Sequence, residues 1–227
     1  MTRVPDSSDP GYRIVDNVFD TPETTNLLRA LETSELSRSR AGARHLMRHP
    51  AVNAAANDRR LLAIASEFIG PSPVPYRATL FDKSSTRNWL VVWHQDTALP
   101  LEARRDVPGW GPWSEKSGIT YAHAPAAALS RVVALRLHFD DSRHDNGPLR
   151  VLPGTHALGV LSDAEINRIV DQASPAACLV PSGGIIAMHP LILHASSKAE
   201  SERPRRVLHI EYVDSLDVDA GLRIAVA

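Results

Sequence analysis

From Val74 onward the chain breaks into short β-rich runs divided by Gly, Pro and Asp turns, and that texture narrows the folds open to it. The runs span 74–81, 89–93, 131–139, 149–152, 177–180, 184–188, 206–213 and 222–226. Many short strands bounded by turn residues predict a sandwich or barrel. Ahead of them, 12–19 reads as a strand. Asp20 and Glu23 have capping-box spacing and open a helix that carries Leu27, Leu28 and Leu31. A second helix is predicted over about 51–69, with Leu61, Leu62, Ala65 and Phe68 facing a core and Gly70-Pro71 ending it. Ser162 and Glu165 start another, which runs to about Gln172. Helices first and a mostly antiparallel β-set afterwards predict an α+β (mainly β) class, its helices covering one sheet face.

No repeat or low-complexity linker divides the chain, so one domain is expected over 1–227, helical at about 20–70 and β-rich at about 74–227. A chain of 227 residues with 43% apolar content can bury one large core. A net charge of −1 and a pI near 6.8 give no electrostatic ground for a nucleic-acid or anionic-membrane partner. The lone Cys178 excludes an intramolecular disulfide and suits a reducing cytoplasm. No apolar run reaches the roughly 18 residues of a membrane span, and residues 1–10 lack a signal-peptide core. A soluble cytoplasmic protein acting on a small molecule is the expectation; oligomeric state is unreadable.

Three His-x-acid pairs occur: His94 with Asp96, His138 with Asp140, and His209 with Glu211. On a strand, residues i and i+2 project to one side, so any of them could grip an ion. Context separates them. His94 ends an apolar strand and Asp96 begins a loop, at an accessible sheet rim. Around His138, the apolar Leu135, Leu137 and Phe139 alternate with Arg136, His138 and Asp140. The apolar set should pack on helices. Arg136 and His138 then line the interior as substrate or cosubstrate contacts, or form an internal hydrogen-bonded cluster. For a second imidazole, His189 sits at a bend before Pro190, whereas His194 ends the run Leu191-Ile-Leu and is preferred. Two imidazoles and a carboxylate occupy one face of a ferrous ion and leave the other positions open for substrates.

Parity selects an arginine. In 205–212 the set Arg206, Leu208, Ile210 and Tyr212 is largely apolar, so Arg205 on the opposite face points inward and Arg206 reaches solvent. A guanidinium fork suits the carboxylate of an oxo-acid cosubstrate. The long Pro-, Gly- and Trp-rich segment between Asp96 and Arg131 reads as a lid, with Trp113 over the substrate, or as an Ω-loop. Arg44, between the predicted helices, is a candidate for a substrate carboxylate.

The ordered pieces Trp93-His-Gln-Asp96, Asn146-Gly-Pro-Leu-Arg-Val-Leu-Pro-Gly-Thr-His156, Leu193-His-Ala-Ser196 and Arg205-Arg206 span more than half the chain. Together they resemble the phytanoyl-CoA dioxygenase family of Fe(II)/2-oxoglutarate-dependent oxygenases. The resemblance implies a double-stranded β-helix (jelly-roll) core with flanking helices. It implies His94, Asp96 and His194 as iron ligands, Arg205 as partner of the 2-oxoglutarate C5 carboxylate, and a hydroxyl contribution from Ser196. Fe(II), 2-oxoglutarate and O2 would support hydroxylation of an unactivated C–H bond, releasing succinate and CO2. Asn146-Gly is a tight-turn dipeptide, expected to leave Thr155 and His156 near the cavity mouth. No basic cluster suggests coenzyme A phosphates, so a CoA thioester is not the expected substrate. The competing readings are a jelly-roll metal-binding or small-molecule-binding protein without turnover, and a zinc hydrolase. The hydrolase leaves Arg205 and Ser196 unexplained.

Overall fold

The computed structural model describes residues 9–36, 38–39, 42–84 and 87–227; the polar stretch 1–8 lies outside them. Strand β1 (Tyr12–Val15) leads into helix α1 (Thr21–Glu32). The Asp20 carboxylate accepts the Glu23 N–H and the Glu23 carboxylate accepts the Asp20 N–H, both at 2.8 Å. This reciprocal cap satisfies donors that a helix start leaves orphaned. Two short strands follow, β2 (Arg38–Ser39) and β3 (Gly42–Ala43). The single helix predicted over 51–69 is in fact two, α2 (Pro50–Ala56) and α3 (Arg59–Ile69). Asp58 causes the break: its side chain accepts the Arg60 N–H at 2.8 Å and caps a new helix. Arg60 then ties Asp58 to Glu23 at 2.8 and 2.7 Å, fixing α3 against α1.

The remaining strands begin with β4 (Val74–Lys83), β5 (Val91–His94), β6 (Ala98–Leu101), β7 (Trp113–Lys116) and β8 (Ile119–His123). After the single turn α4 (Ala126–Leu129) come β9 (Val132–His138) and β10 (Leu149–Leu152). Helix α5 (Asp163–Gln172) precedes β11 (Ala176–Cys178), β12 (Ile185–Met188), β13 (Leu193–Ser196) and β14 (Arg205–Val213). A small hairpin, β15 (Asp217–Asp219) and β16 (Leu222–Arg223), closes the chain.

Seven strands pair in the order β1-β12-β9-β14-β4-β3-β2 and four in the order β11-β10-β13-β5, all antiparallel. These are the two sheets of a jelly roll. The outward face of the larger sheet is apolar: Leu135, Leu137, Leu208, Ile210 and Tyr212 share one buried cluster with Leu31, Leu61 and Ala65 of the helices. Between the sheets, Ala134, Ile186 and Met188 meet Leu149 and Val151 and plug one end of the interior with apolar side chains. The rest of the interior is polar, with Arg136 and His138 from β9, His209 and Glu211 from β14 and Lys83 from β4 all buried. Burying so many polar groups on one internal face costs stability unless they serve each other or a ligand.

The segment 97–130 is not a bare loop. It forms a third sheet, β6-β8-β7, with Trp110 buried and its indole N–H donating to Asp219 at 3.1 Å. Pro100 inside β6 and the charged Trp113-Ser-Glu-Lys116 hide these strands from a period-two reading. Among the described residues no helix is long and apolar enough to cross a membrane.

Candidate metal centre and flanking cavities

His94 ends β5 and His194 lies in β13; the two are register partners across the antiparallel pair, with ring centroids 4.2 Å apart. Asp96 follows on the loop, held by its own N–H donating to the Pro190 carbonyl at 2.9 Å. The intervening Gln95 is buried and braces that loop: its amide donates to the Gly159 and Leu191 carbonyls at 2.8 and 2.7 Å and accepts the Leu161 N–H at 2.8 Å. One Asp96 oxygen lies 3.7 Å from His94 Nε2 and the other 3.5 Å from His194 Nε2. All three ligand atoms fall within 4.8 Å of one another.

Each imidazole has its tautomer set by the backbone. His94 Nδ1 meets the Val92 carbonyl at 2.8 Å, and His194 Nδ1 meets the Ile192 carbonyl at 2.9 Å. A carbonyl only accepts, so both Nδ1 atoms carry the proton and both Nε2 lone pairs face the Asp96 carboxylate. Burial is the main cause that pushes His194 down to about 4, so it is neutral at neutral pH. At Asp96, burial opposes ionisation. The fields of His194, His94 and His209 in their protonated forms, and of Arg77, outweigh it and hold the carboxyl below the usual range. Two imidazoles and one carboxylate converging in this way fit a divalent first-row metal.

On one side of Asp96 lies a cavity of about 230 Å³, lined by Arg136, Arg205, Ser196 and both histidines. Arg136 and Arg205 are both buried, and among the described residues Arg205 Nε and Nη1 and Arg136 Nε have no hydrogen-bond partner. A buried charged donor left unpaired costs at least about 1–3 kcal/mol, so these groups call for an anion. Lys83 stands behind Ser196 as a further buried cation. It is the register partner of Arg205 on β4, is 1% exposed, and donates to Ser196 Oγ at 3.1 Å and to the Ser197 carbonyl at 2.5 Å. Because the ammonium donates to Ser196 Oγ, the hydroxyl proton is free to be donated into the cavity. Burial, then the nearby Arg205 and Arg136, push the Lys83 ammonium down to about 7. Sequence reasoning missed Lys83, although the inward parity of β4 carries it.

On the other side of Asp96 is a second cavity, of about 270 Å³, which shares Arg44, Phe81 and Asp96 with the first. Its walls include His45, Arg77, Lys116, Tyr121, His209 and Glu211, none of which the motifs single out as substrate contacts. Arg77 grips Glu211 through Nε and Nη2, with Nη2 at 2.6 Å, and Tyr76 adds a hydroxyl donor at 3.3 Å. His209 Nδ1 accepts from Arg136 Nη1 at 3.0 Å, so its Nε2 carries the proton.

The other candidates fall elsewhere. Arg136 lines the first cavity, not the second, and His138 lines neither. His138 is fully buried with both ring nitrogens unpartnered among the described residues, and burial followed by Arg205 and Arg136 holds its imidazole well below the usual range. Trp113 also lines neither cavity; it packs on the β6-β8-β7 sheet beneath the Arg104 guanidinium. Arg206 is on the outward face and partly exposed, as expected, and pairs there with Asp140 at 2.7 Å and Glu32 at 2.9 Å. Thr155 and His156 sit away from the mouth. Thr155 is buried and donates to the Leu152 carbonyl, while His156 stacks on His189 at 4.9 Å. With Asp9 these two histidines form a second possible ligand trio, but their ring planes lie 4° apart, so their in-plane lone pairs do not converge.

A jelly roll presenting two imidazoles and a carboxylate beside an anion-seeking cavity defines a class, the facial-triad oxygenase scaffold. The chain matches the phytanoyl-CoA dioxygenase (PhyH) family over residues 9–207 and belongs to it. L-proline trans-4-hydroxylase of Streptomyces griseoviridis is 25% identical over 178 residues, 67% of this chain. This chain spans only 59% of that relative's length. The fold is shared with AviO1 of Streptomyces viridochromogenes (22% identity, TM-score 0.66, covering 91% of this chain and 90% of that one). It is also shared with EctD of S. alaskensis, solved with 2-oxoglutarate and 5-hydroxyectoine (16% identity, TM-score 0.68, covering 90% and 72%).

Proposed function

We propose that this chain is an Fe(II)- and 2-oxoglutarate-dependent dioxygenase that hydroxylates an unactivated C–H bond of a small molecule. The observation that carries the reading is the pairing of two tautomer-locked imidazoles and Asp96 with a buried cavity whose arginine donors lack partners. His94, Asp96 and His194 would hold the metal. Arg205, assisted by Ser196, Lys83 and Arg136, would hold the far carboxylate of 2-oxoglutarate. When bound, iron and 2-oxoglutarate supply the oxidising chemistry, with succinate and CO2 as coproducts.

The chain's own residues orient and shield. His94 and His194 turn Nε2 toward the metal position, neutral His194 does so without first losing a proton, and ionised Asp96 brings one negative charge. Asp96 retained in the triad leaves no ligand position vacant for a halide, which favours hydroxylation over halogenation. Phe81 borders both cavities, and Trp89 and Leu149 border the first, so the cosubstrate would sit against apolar side chains that exclude water. The second cavity is walled mainly by polar side chains and suits a small hydrophilic substrate rather than a fatty acyl-CoA thioester. We read the chain as a single domain acting in the cytoplasm.

Anaerobic titration with Fe(II) and then 2-oxoglutarate tests the reading. A weak visible charge-transfer band should develop, and admitting oxygen should yield succinate. A protein that binds metal yet shows neither would be a jelly-roll binding module without turnover.

A further inference from the structure

The second cavity has a charge imbalance that bears on what it accepts. Its carboxylates are all engaged. Glu211 is taken up by Arg77 and Tyr76, and Asp96 faces His94 and His194. Among the described residues no third carboxylate lines the cavity. A ligand ammonium placed there would lose its water without gaining a counter-ion, an unfavourable exchange.

Its cations are not all engaged. Arg44 follows β3 and Lys116 ends β7, so they rise from different walls, and neither makes an ion pair among the described residues. Tyr121 joins those walls. Lys116 Nζ lies 5.2 Å and Arg77 Cζ 5.7 Å over its ring, and its hydroxyl meets His45 Nε2 at 2.8 Å. His45 holds a left-handed backbone (φ 59°), a conformation a non-glycine residue keeps only when its surroundings enforce it. Burial first, then Arg77, Arg44 and Arg48, keep its imidazole below the usual range. Deeper in, His209 contributes its Nε2–H as a further donor.

We propose that the substrate is a small hydrophilic oxyanion, carrying a carboxylate or phosphate and no free amine, with its anionic group held between Arg44 and Lys116. The proposal rests on the oxygenase reading and deepens it by naming the substrate class. It also separates this chain from its 25%-identical relative, since L-proline is a zwitterion whose ammonium would find no partner in this cavity.

The test uses the Fe(II)/2-oxoglutarate-loaded protein and follows succinate release. The probes are matched sets on common skeletons: carboxylic acids, phosphate monoesters, methyl esters, primary amides and amines, with L-proline included. Stimulation above the substrate-free rate should be confined to the anionic members, and the acid and phosphate arms show which oxyanion is used. Lys116→Gln should raise KM for the responding anion about tenfold or more, as expected for a lost charge-assisted contact, with little change in kcat. Neutral or amine probes that stimulate as strongly would overturn the proposal. So would an absence of anion stimulation in protein that still forms the charge-transfer band, and there the oxygenase reading would survive. Loss of the band itself would bring down both.

Discussion

His94 and His194 stand directly opposite one another on antiparallel β5 and β13, and each donates Nδ1–H to the carbonyl two residues before it. The same local device on two strands turns both Nε2 atoms inward. Strand pairing therefore organises the site as much as the ligands do, and Asp96 needs only the loop that Gln95 anchors.

The three His-x-acid pairs give the sharpest test of which carboxylate matters. Asp96→Ala should abolish the charge-transfer band and lower substrate-free succinate formation about 100-fold or more, since it removes a ligand rather than a supporting contact. Asp140 faces Arg206, so Asp140→Ala should cost about 1 kcal/mol of stability and leave metal binding intact. The opposite pattern would move the centre to His138.

Neighbouring arginines should part company in the same way. Arg205 carries unpartnered buried donors, whereas Arg206 is paired with Asp140 and Glu32. Arg205→Ala should raise KM for 2-oxoglutarate about 30-fold or more, because truncating a buried charged partner costs roughly 2 kcal/mol or beyond. Arg206→Ala should change it little. Equal effects on steady-state KM would refute the assignment of an inward and an outward face.

Much of this was readable from alternation alone. On β9 and β14 the apolar sets Leu135, Leu137 and Leu208, Ile210, Tyr212 do pack on the helices, and Arg205 does point inward. The same rule on β4 puts Ala78 and Leu80 on the helix side and Arg77, Phe81 and Lys83 inside, yet a long strand of mixed character gave no motif to prompt it. Residues 97–130 were opaque for a different reason. Their strands are four or five residues long and carry Pro100, Glu115 and Lys116, so no period shows. Trp113 consequently looks like a substrate cover when it is sheet packing, and His45 and Tyr121 meet only through tertiary structure.

The buried Lys83 should make binding of 2-oxoglutarate depend on pH. Its ammonium is pushed down to about 7, so the free protein loses this charge as pH rises past that point. A dianion binds the protonated form better, so affinity for 2-oxoglutarate should fall as pH rises above about 7, by up to roughly tenfold per unit where one proton is taken up. Stability should move the other way. The unfolded lysine keeps its proton to about pH 10.4, so from about 7 to 10 the unfolded state binds more protons and stability of the ligand-free protein rises with pH. Calorimetric titration of the metal-loaded protein across this range is the check. Lys83→Met should flatten the profile and weaken binding; an unchanged profile would remove Lys83 from the cosubstrate site.

Gly147 links the Asn146-Gly turn to that same lysine. Its φ is 67°, and a Cβ there would lie 2.5 Å from the Ser197 carbonyl oxygen and 3.2 Å from Lys83 Nζ. Ser197 O is the atom that holds Lys83, so Gly147→Ala must displace the backbone beside Ser196 or open the turn. Gly154 is the control, with φ 79° and nothing within 4 Å of the Cβ position. Gly154→Ala should show the left-handed penalty alone, about 1 kcal/mol, or a fall in Tm of about 2–4 °C for a chain of this size. Gly147→Ala should lower Tm further and also raise KM for 2-oxoglutarate, because the clash is transmitted through Ser197 to Lys83 and Ser196. If both alanine variants lose only stability, the turn is scaffolding with no hold on the cosubstrate pocket.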